Sequence, residues 1–116
     1  MQYMLLIYEN EGEARGRTQE ERGKMFAEYQ GFTTELRASG KMLSGQPLES
    51  VTTATTVRVK AGKTLRTDGP FAETREQLGG FYMVEARDLD EAIALAARIP
   101  SARLGSIEVR PVMTFE

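Results

Sequence analysis

Tyr3-Met4-Leu5-Leu6-Ile7-Tyr8 is an uncharged run whose two alternating sets, Tyr3, Leu5, Ile7 and Met4, Leu6, Tyr8, are both apolar. A strand that faces water on one side alternates apolar with polar residues, so this run predicts a strand over residues 2–8 that is covered on both faces. Phe81-Tyr82-Met83-Val84 repeats the pattern late in the chain. How these two stretches are covered decides the fold.

Working outward from the first strand, Glu9 to Arg17 carries mixed charge with Gly12 and Gly16 and reads as a polar loop. Its carboxylates lack the spacing and the glycine of an EF-hand, so no calcium site is expected there. Thr18 followed by Glu21 is a capping box. Arg22, Met25, Phe26, Tyr29, Phe32 and Leu36 then recur at helical spacing up to Gly40, which is placed to end the helix. Gly23 and Gly31 each cost this helix about 1 kcal/mol relative to alanine, which points to close packing at one of them. Lys41 to Gly45 reads as a short strand and Gln46-Pro47-Leu48 as a turn. Thr55, Val57 and Val59 alternate with Thr56, Arg58 and Lys60, and the chain returns after Ala61-Gly62 through Thr64, Leu65 and Arg66, as a hairpin with one wet face. Gly79-Gly80 signals a bulge or close strand packing. Asp88 with Glu91 predicts a second capping box, Leu89, Ala92, Ile93, Ala96 and Ile99 one buried stripe, and Pro100 the helix end. Ile107 to Met113 is the last strand, with Pro111 marking a sheet edge or a bulge.

The element order is strand, helix, strand, hairpin, strand, helix, strand. It predicts a single α+β domain over residues 1–116, a ferredoxin-like βαβ-(ββ)-βαβ sandwich with an inserted hairpin. Two helices cover only one face of such a sheet. A second copy of the chain, packed sheet to sheet, is the least demanding cover for the other face, so a symmetric homodimer with room for a cavity between the sheets is expected.

Composition narrows the function classes. Hydrophobic content of 41% and charged content of 28% are those of a globular protein. A net charge of -2 supplies no field to attract nucleic acid or an anionic membrane, and no apolar run approaches a membrane span. The chain has no cysteine and no histidine, which removes thiolate chemistry, the commonest metal ligand and the commonest general base. No metal and no cofactor are expected. With no signal-peptide pattern at the N-terminus, a cytoplasmic location is expected. Phosphate loop, dinucleotide fingerprint, nucleophile elbow and RNA-binding aromatic motif are all missing.

The densest chemistry lies in Thr67-Asp68-Gly69-Pro70-Phe71-Ala72-Glu73-Thr74-Arg75-Glu76-Gln77-Leu78-Gly79-Gly80. Asp-Gly-Pro is turn chemistry first, since Asp accepts local hydrogen bonds, Gly takes positive φ and Pro fixes the next residue. Glu73, Arg75 and Glu76 then gather both signs of charge just before a strand expected to be buried. In a cavity, desolvation raises a carboxyl toward the range of a general base, which makes Asp68 the candidate catalytic acid/base. Arg75 and Arg110 are candidate cations for a substrate carboxylate or enolate, because a guanidinium binds planar oxyanions with two parallel hydrogen bonds. Tyr8, Glu73 and Glu76 complete the candidate binding set. Tyr82 has the same hydroxyl, with core packing as its more ordinary use. The plainer alternatives are a structural turn at Asp68 and surface ion pairs at the arginines.

The N-terminal run, Thr55-Thr56-Val57-Arg58-Val59, Thr67 to Glu73, Glu76 to Gly80 and the closing Val109-Arg110-Pro111 together resemble the DGPF-domain proteins of the YCII-related family. The resemblance spans nearly the whole chain. It implies a dimeric ferredoxin-like α+β barrel of bacterial origin, in a family mostly of unknown function that includes a dehydrochlorinase of chloroaromatic degradation. The charged cluster beside a cavity points to a small oxygenated organic acid as ligand, on which Asp68 moves a proton, and the dehydrochlorinase relative makes lyase-like chemistry the expectation. Some members are encoded beside extracytoplasmic-function sigma factors, so the alternative is a non-catalytic accessory protein with a sigma factor as partner. Other branches carry a His-Asp pair, from which this histidine-free chain departs. Only Asp68 stands in for the acidic member.

Overall fold

The computed structural model of the protein describes residues 1–115. Strands β1 (Gln2–Glu9), β2 (Met42–Pro47), β5 (Gln77–Glu85) and β6 (Ser106–Pro111) form one sheet in the order β2-β5-β1-β6, with every neighbouring pair antiparallel. Strands β3 (Thr55–Lys60) and β4 (Lys63–Asp68) form a separate two-stranded hairpin. Helices α2 (Gln19–Ala38) and α3 (Leu89–Ala97) supply the βαβ crossovers, and a short α1 (Glu11–Arg15) follows β1. The four-stranded order with two crossover helices is the ferredoxin-like α+β arrangement that the element order predicts.

Both helices lie on one face of the sheet. Tyr3, Leu5 and Ile7 of β1 and Tyr82 and Val84 of β5 point into them, and Leu5 and Val84 are 0% exposed. Burying such an aliphatic side chain stabilises the fold by about 2 kcal/mol. Phe32 and Leu36 of α2 meet this row. The Phe32 ring sits edge-on to Tyr82 at 5.2 Å, and the Tyr82 hydroxyl shares a 2.7 Å hydrogen bond with Thr33 Oγ1. Tyr82 is therefore a core residue with its hydroxyl satisfied.

The termini of these elements follow local chemistry. Thr18 Oγ1 accepts from the Glu21 N–H and the Glu21 carboxylate accepts from the Thr18 N–H, completing the predicted capping box, and Gly40 ends the helix at φ +75. Pro47 and Pro111 end the two edge strands, where the missing N–H costs the sheet nothing. The strand β2 runs through Gln46 to Pro47, which the turn expected there did not anticipate.

Several expectations are corrected. Residues 11–15 are helical because Asn10 Oδ1 caps the Glu13 N–H at 2.9 Å, and α1 is then pinned by Gln77 Oε1, which accepts from the Glu11 N–H. The second cap is half a box: Asp88 accepts from the Glu91 N–H, but Glu91 reaches back to the Arg87 N–H. Helix α3 ends at Ala97, short of Pro100; its buried stripe is Ala92, Leu95 and Ala96, with Leu89 and Ile93 exposed and Ile99 buried just beyond the helix. Gly23 and Gly31 meet nothing within 4 Å where a Cβ would stand, so neither serves close packing. Phe26, in the N-terminal half of α2, is exposed as well, and the helix buries only Phe32 and Leu36.

The molecule is a slab of 48 × 47 × 20 Å, about the thickness of one sheet and one helix layer. Its radius of gyration is 16.2 Å, against about 13 Å for a compact chain of this length. The excess comes from the hairpin, which stands away from the body, and from a sheet with one face uncovered. No described helix is long and apolar enough to cross a membrane.

Candidate functional site

The uncovered face of the sheet carries the other alternating set. Register places Met83, Met4 and Arg110 side by side, then Phe81, Leu6 and Glu108, then Leu78, Tyr8 and Ser106. Ser44 and Gln46 of β2 extend the first two rows. Met4, Leu6, Tyr8, Phe81 and Met83 are half-buried, so the strands present an apolar floor edged by polar groups. The floor exists because residues 3–8 of β1 and 81–84 of β5 are apolar on both faces, while β6 alternates.

At the β6 edge, Arg110 Nη2 donates to Glu108 Oε2 at 2.7 Å. That hydrogen bond and the Glu108 charge hold the guanidinium pKa above its ordinary value, with the neighbouring Tyr8 phenol adding to the effect. Ser106 Oγ donates to Glu76 Oε1 at 2.8 Å and so fixes the Glu76 carboxylate at the same end of the sheet as Tyr8. Gly105 makes this corner possible: a Cβ there would lie 2.0 Å from the Tyr8 carbonyl oxygen. The β1–β5 bulge between Ile7 and Tyr8 lies at Gly79-Gly80, and a Cβ on Gly80 would come 3.0 Å from the Gln46 carbonyl oxygen, so both readings of that glycine pair hold.

The Asp-Gly-Pro turn takes the positive φ at its glycine that the composition predicts, without the local hydrogen bond expected of Asp68. Gly69 has φ +99, its N–H donates to the Ala54 carbonyl at 2.7 Å, and its own carbonyl accepts from Thr56 Oγ1 at 2.9 Å. Asp68 is the last residue of β4, opposite Thr55, and exposed. Among the described residues its carboxylate takes no hydrogen bond and no ion pair. Beyond the turn, Phe71 is 78% exposed, and Glu73 lines a hollow of ≈ 250 Å³ with Val51, Pro70, Ala72, Thr74 and Gln77. Asn10 Nδ2 donates to the Arg75 carbonyl at 2.9 Å and holds that segment against α1, while the exposed Arg75 guanidinium forms no ion pair among the described residues.

Within one chain the structure therefore brings Tyr8, Glu76 and Arg110 to one face, and keeps Asp68, Glu73 and Arg75 apart from it. Sequence reasoning missed Ser106 and Glu108, the partners that orient Glu76 and Arg110. Their signal was the i, i+2 spacing of Ser106, Glu108 and Arg110, which any strand over those residues puts on one side. It also missed Glu11, whose carboxylate accepts from Ser50 Oγ at 2.8 Å and the Val51 N–H at 3.0 Å, bracing the base of the hairpin. No cluster of three potential metal-ligating side chains occurs among the described residues. What the open face offers is a flat apolar bed for a small ring, a guanidinium and a phenol for oxyanions, and a carboxylate for a proton.

The YCII-related domain model matches residues 1–116. The chain is 36% identical, over 118 residues covering 100% of it and 95% of the relative, to an uncharacterised protein of Rhizobium meliloti (strain 1021). Among solved structures it is similar to the 5-chloro-2-hydroxyhydroquinone dehydrochlorinase of Burkholderia phenoliruptrix AC1100 in complex with 2,5-dihydroxybenzoquinone. The TM-score is 0.56 at 16% identity, covering 97% of this chain and 94% of that one. At that identity the likeness is one of fold.

Proposed function

The chain belongs to the YCII-related family, and from that premise we propose that it is a homodimer that binds a small oxygenated organic acid on its open sheet face. There it promotes a lyase-type, dehydrochlorinase-like elimination by carboxylate acid/base chemistry. The observation that carries this reading is the apolar floor of Met4, Leu6, Phe81 and Met83 bordered by Arg110, Tyr8 and Glu76. The fold neighbour was solved with a dihydroxybenzoquinone, a flat oxygenated ring of the size such a floor accepts.

In the proposed step the Asp68 carboxylate takes a proton from the substrate. The electron pair left behind forms a new double bond and expels an anionic leaving group from the neighbouring carbon, so the negative charge that the carboxylate loses on protonation leaves with that group. Arg110 offsets the negative charge that develops on the substrate oxygen, exchanging its Glu108 partner for the ligand. Dimerisation supports the same site. The chain exposes 8371 Å², against about 6,300 Å² for a self-contained monomer of its mass, and an excess of that size matches one partner's share of a large homodimer interface.

With 2,5-dihydroxybenzoquinone as probe, titration calorimetry is expected to show saturable binding that weakens about tenfold in Arg110→Ala, the loss of one charge-assisted hydrogen bond. Turnover of a chlorinated hydroxyquinol is expected to fall in Asp68→Asn. Unchanged binding in the first variant and unchanged turnover in the second would sink the proposal.

A further inference from the structure

We propose that the β3–β4 hairpin is an arm that lies across the open sheet face of a second copy, so that each ligand site is composite: Tyr8 and Arg110 come from one copy and Asp68 from the arm of the other. This rests on the homodimer reading above and adds to it which part of the partner completes the site.

The hairpin has a braced base and an unsupported shaft. Gly69 and Thr56 lock its foot by the two bonds to Ala54 and Gly69, and Glu11 holds Ser50 and Val51 below it. Beyond that foot every residue of β4 is exposed, and Val57 and Val59 stand 61% and 67% exposed. A two-stranded hairpin with apolar side chains in water is marginal by itself and gains stability from a third layer. Its own body does not provide one, since the four-stranded sheet and the hairpin are separate.

Register fixes what the arm presents. Thr55 pairs with Asp68 and Val57 with Arg66, so Thr55, Val57 and Val59 share a face with Asp68 and Arg66. Burying the valines against an apolar floor therefore sets Asp68 down on that floor, where it meets the cation its own chain does not give it. The open face of Met4, Leu6, Phe81 and Met83 is the floor of matching chemistry. Strands of six residues are about 20 Å long, close to the width of four strands spaced about 4.8 Å apart.

Charge selects the same occupant. Residues 55–68 hold Arg58, Lys60, Lys63 and Arg66 against Asp68 alone, a net of +3, while the rest of the chain carries -5. Arm against body is attractive between two copies, whereas body against body is repulsive. The open face also has carboxylates at its rim, Glu76 and Glu108, to receive the basic tip.

Unlabelled and heavy-nitrogen-labelled chains refolded together, then treated with a carbodiimide, test the arm directly. A dimer by native mass spectrometry, with Lys60 or Lys63 joined to Glu76 or Glu108 in peptides of mixed isotope, is the expected result. A dimer whose arm cross-links are all isotopically pure overturns the arm and leaves the homodimer standing; a monomeric mass overturns both. In a second measurement, Val57→Asp with Val59→Asp is expected to raise the dimer dissociation constant by at least about tenfold. The far-ultraviolet dichroism of the body stays unchanged, because the hairpin contributes no core residue. A dissociation constant equal to that of the unaltered chain would overturn the proposal.

Discussion

The two faces of the four-stranded sheet are made by the same strands, one residue out of step, and they do different work. On the helix side Tyr3, Leu5, Ile7, Tyr82 and Val84 are sealed by α2 and α3, and the charges near them are doubly engaged: Glu91 is bonded by Lys41, by the Arg87 guanidinium and by the Arg87 N–H. On the open side Met4, Leu6, Tyr8, Phe81 and Met83 are half-covered, and Arg110 has one carboxylate from its own strand. A face whose polar groups are fully paired can only hold the fold. One whose apolar floor and cation still have capacity to bind can take a ligand or a second chain.

The comparison is sharpest at neighbouring leucines. Leu5→Ala is expected to cost about 3–4 kcal/mol in urea denaturation, because it opens a cavity in a sealed core. Leu6→Ala, one residue away on the open face, is expected to cost roughly 1 kcal/mol in dilute solution, with the loss growing as protein concentration rises and dimer burial is added. Equal losses that do not vary with concentration would break the distinction. A smaller effect, about 2–3 kcal/mol, is expected for Gly105→Ala, whose new Cβ must push the Tyr8 carbonyl away from β6. The same variant should weaken binding of the benzoquinone probe, since it moves Tyr8 and Ser106 together. A melt that falls while binding holds would show that the corner supports the fold alone.

The element order and the uncovered face were legible because periodicity reports burial directly: residues 3–8 and 81–84 are apolar at every position, and no two-helix layer can seal both sides of them. The Asp-Gly-Pro turn was legible for a similar reason, since Gly69 takes the positive φ its neighbours avoid. The grouping of the charged residues was not. Glu73, Arg75 and Glu76 are close in sequence, yet an irregular segment sends Glu73 into a hollow, Arg75 to solvent and Glu76 to Ser106, a partner 30 residues away. Long-range polar pairs leave no periodic trace. Nor does α1, which exists because Asn10 and Gln77 satisfy its first N–H groups.

Acid titration gives the mildest probe of the difference between the faces. Glu91 has its pKa lowered from an ordinary value of 4.5, first by the hydrogen bond from Lys41, next by the Arg87 N–H and then by the charges of Arg87 and Lys41. A carboxylate whose folded pKa is depressed contributes stability that is present in full above the unfolded value and is lost as pH falls through the folded one. The helix layer is therefore expected to lose this contribution below about pH 4.5, and Glu91→Gln removes it at neutral pH. Melting temperatures of the two proteins should differ at pH 7 and converge toward pH 3. Glu108→Gln, on the open face, should lower the neutral-pH melt less, because Glu108 has a single exposed bond to Arg110. If Glu108→Gln instead shows the larger loss, the open-face ion pair is holding the fold, and the division between a sealed face and a binding face fails.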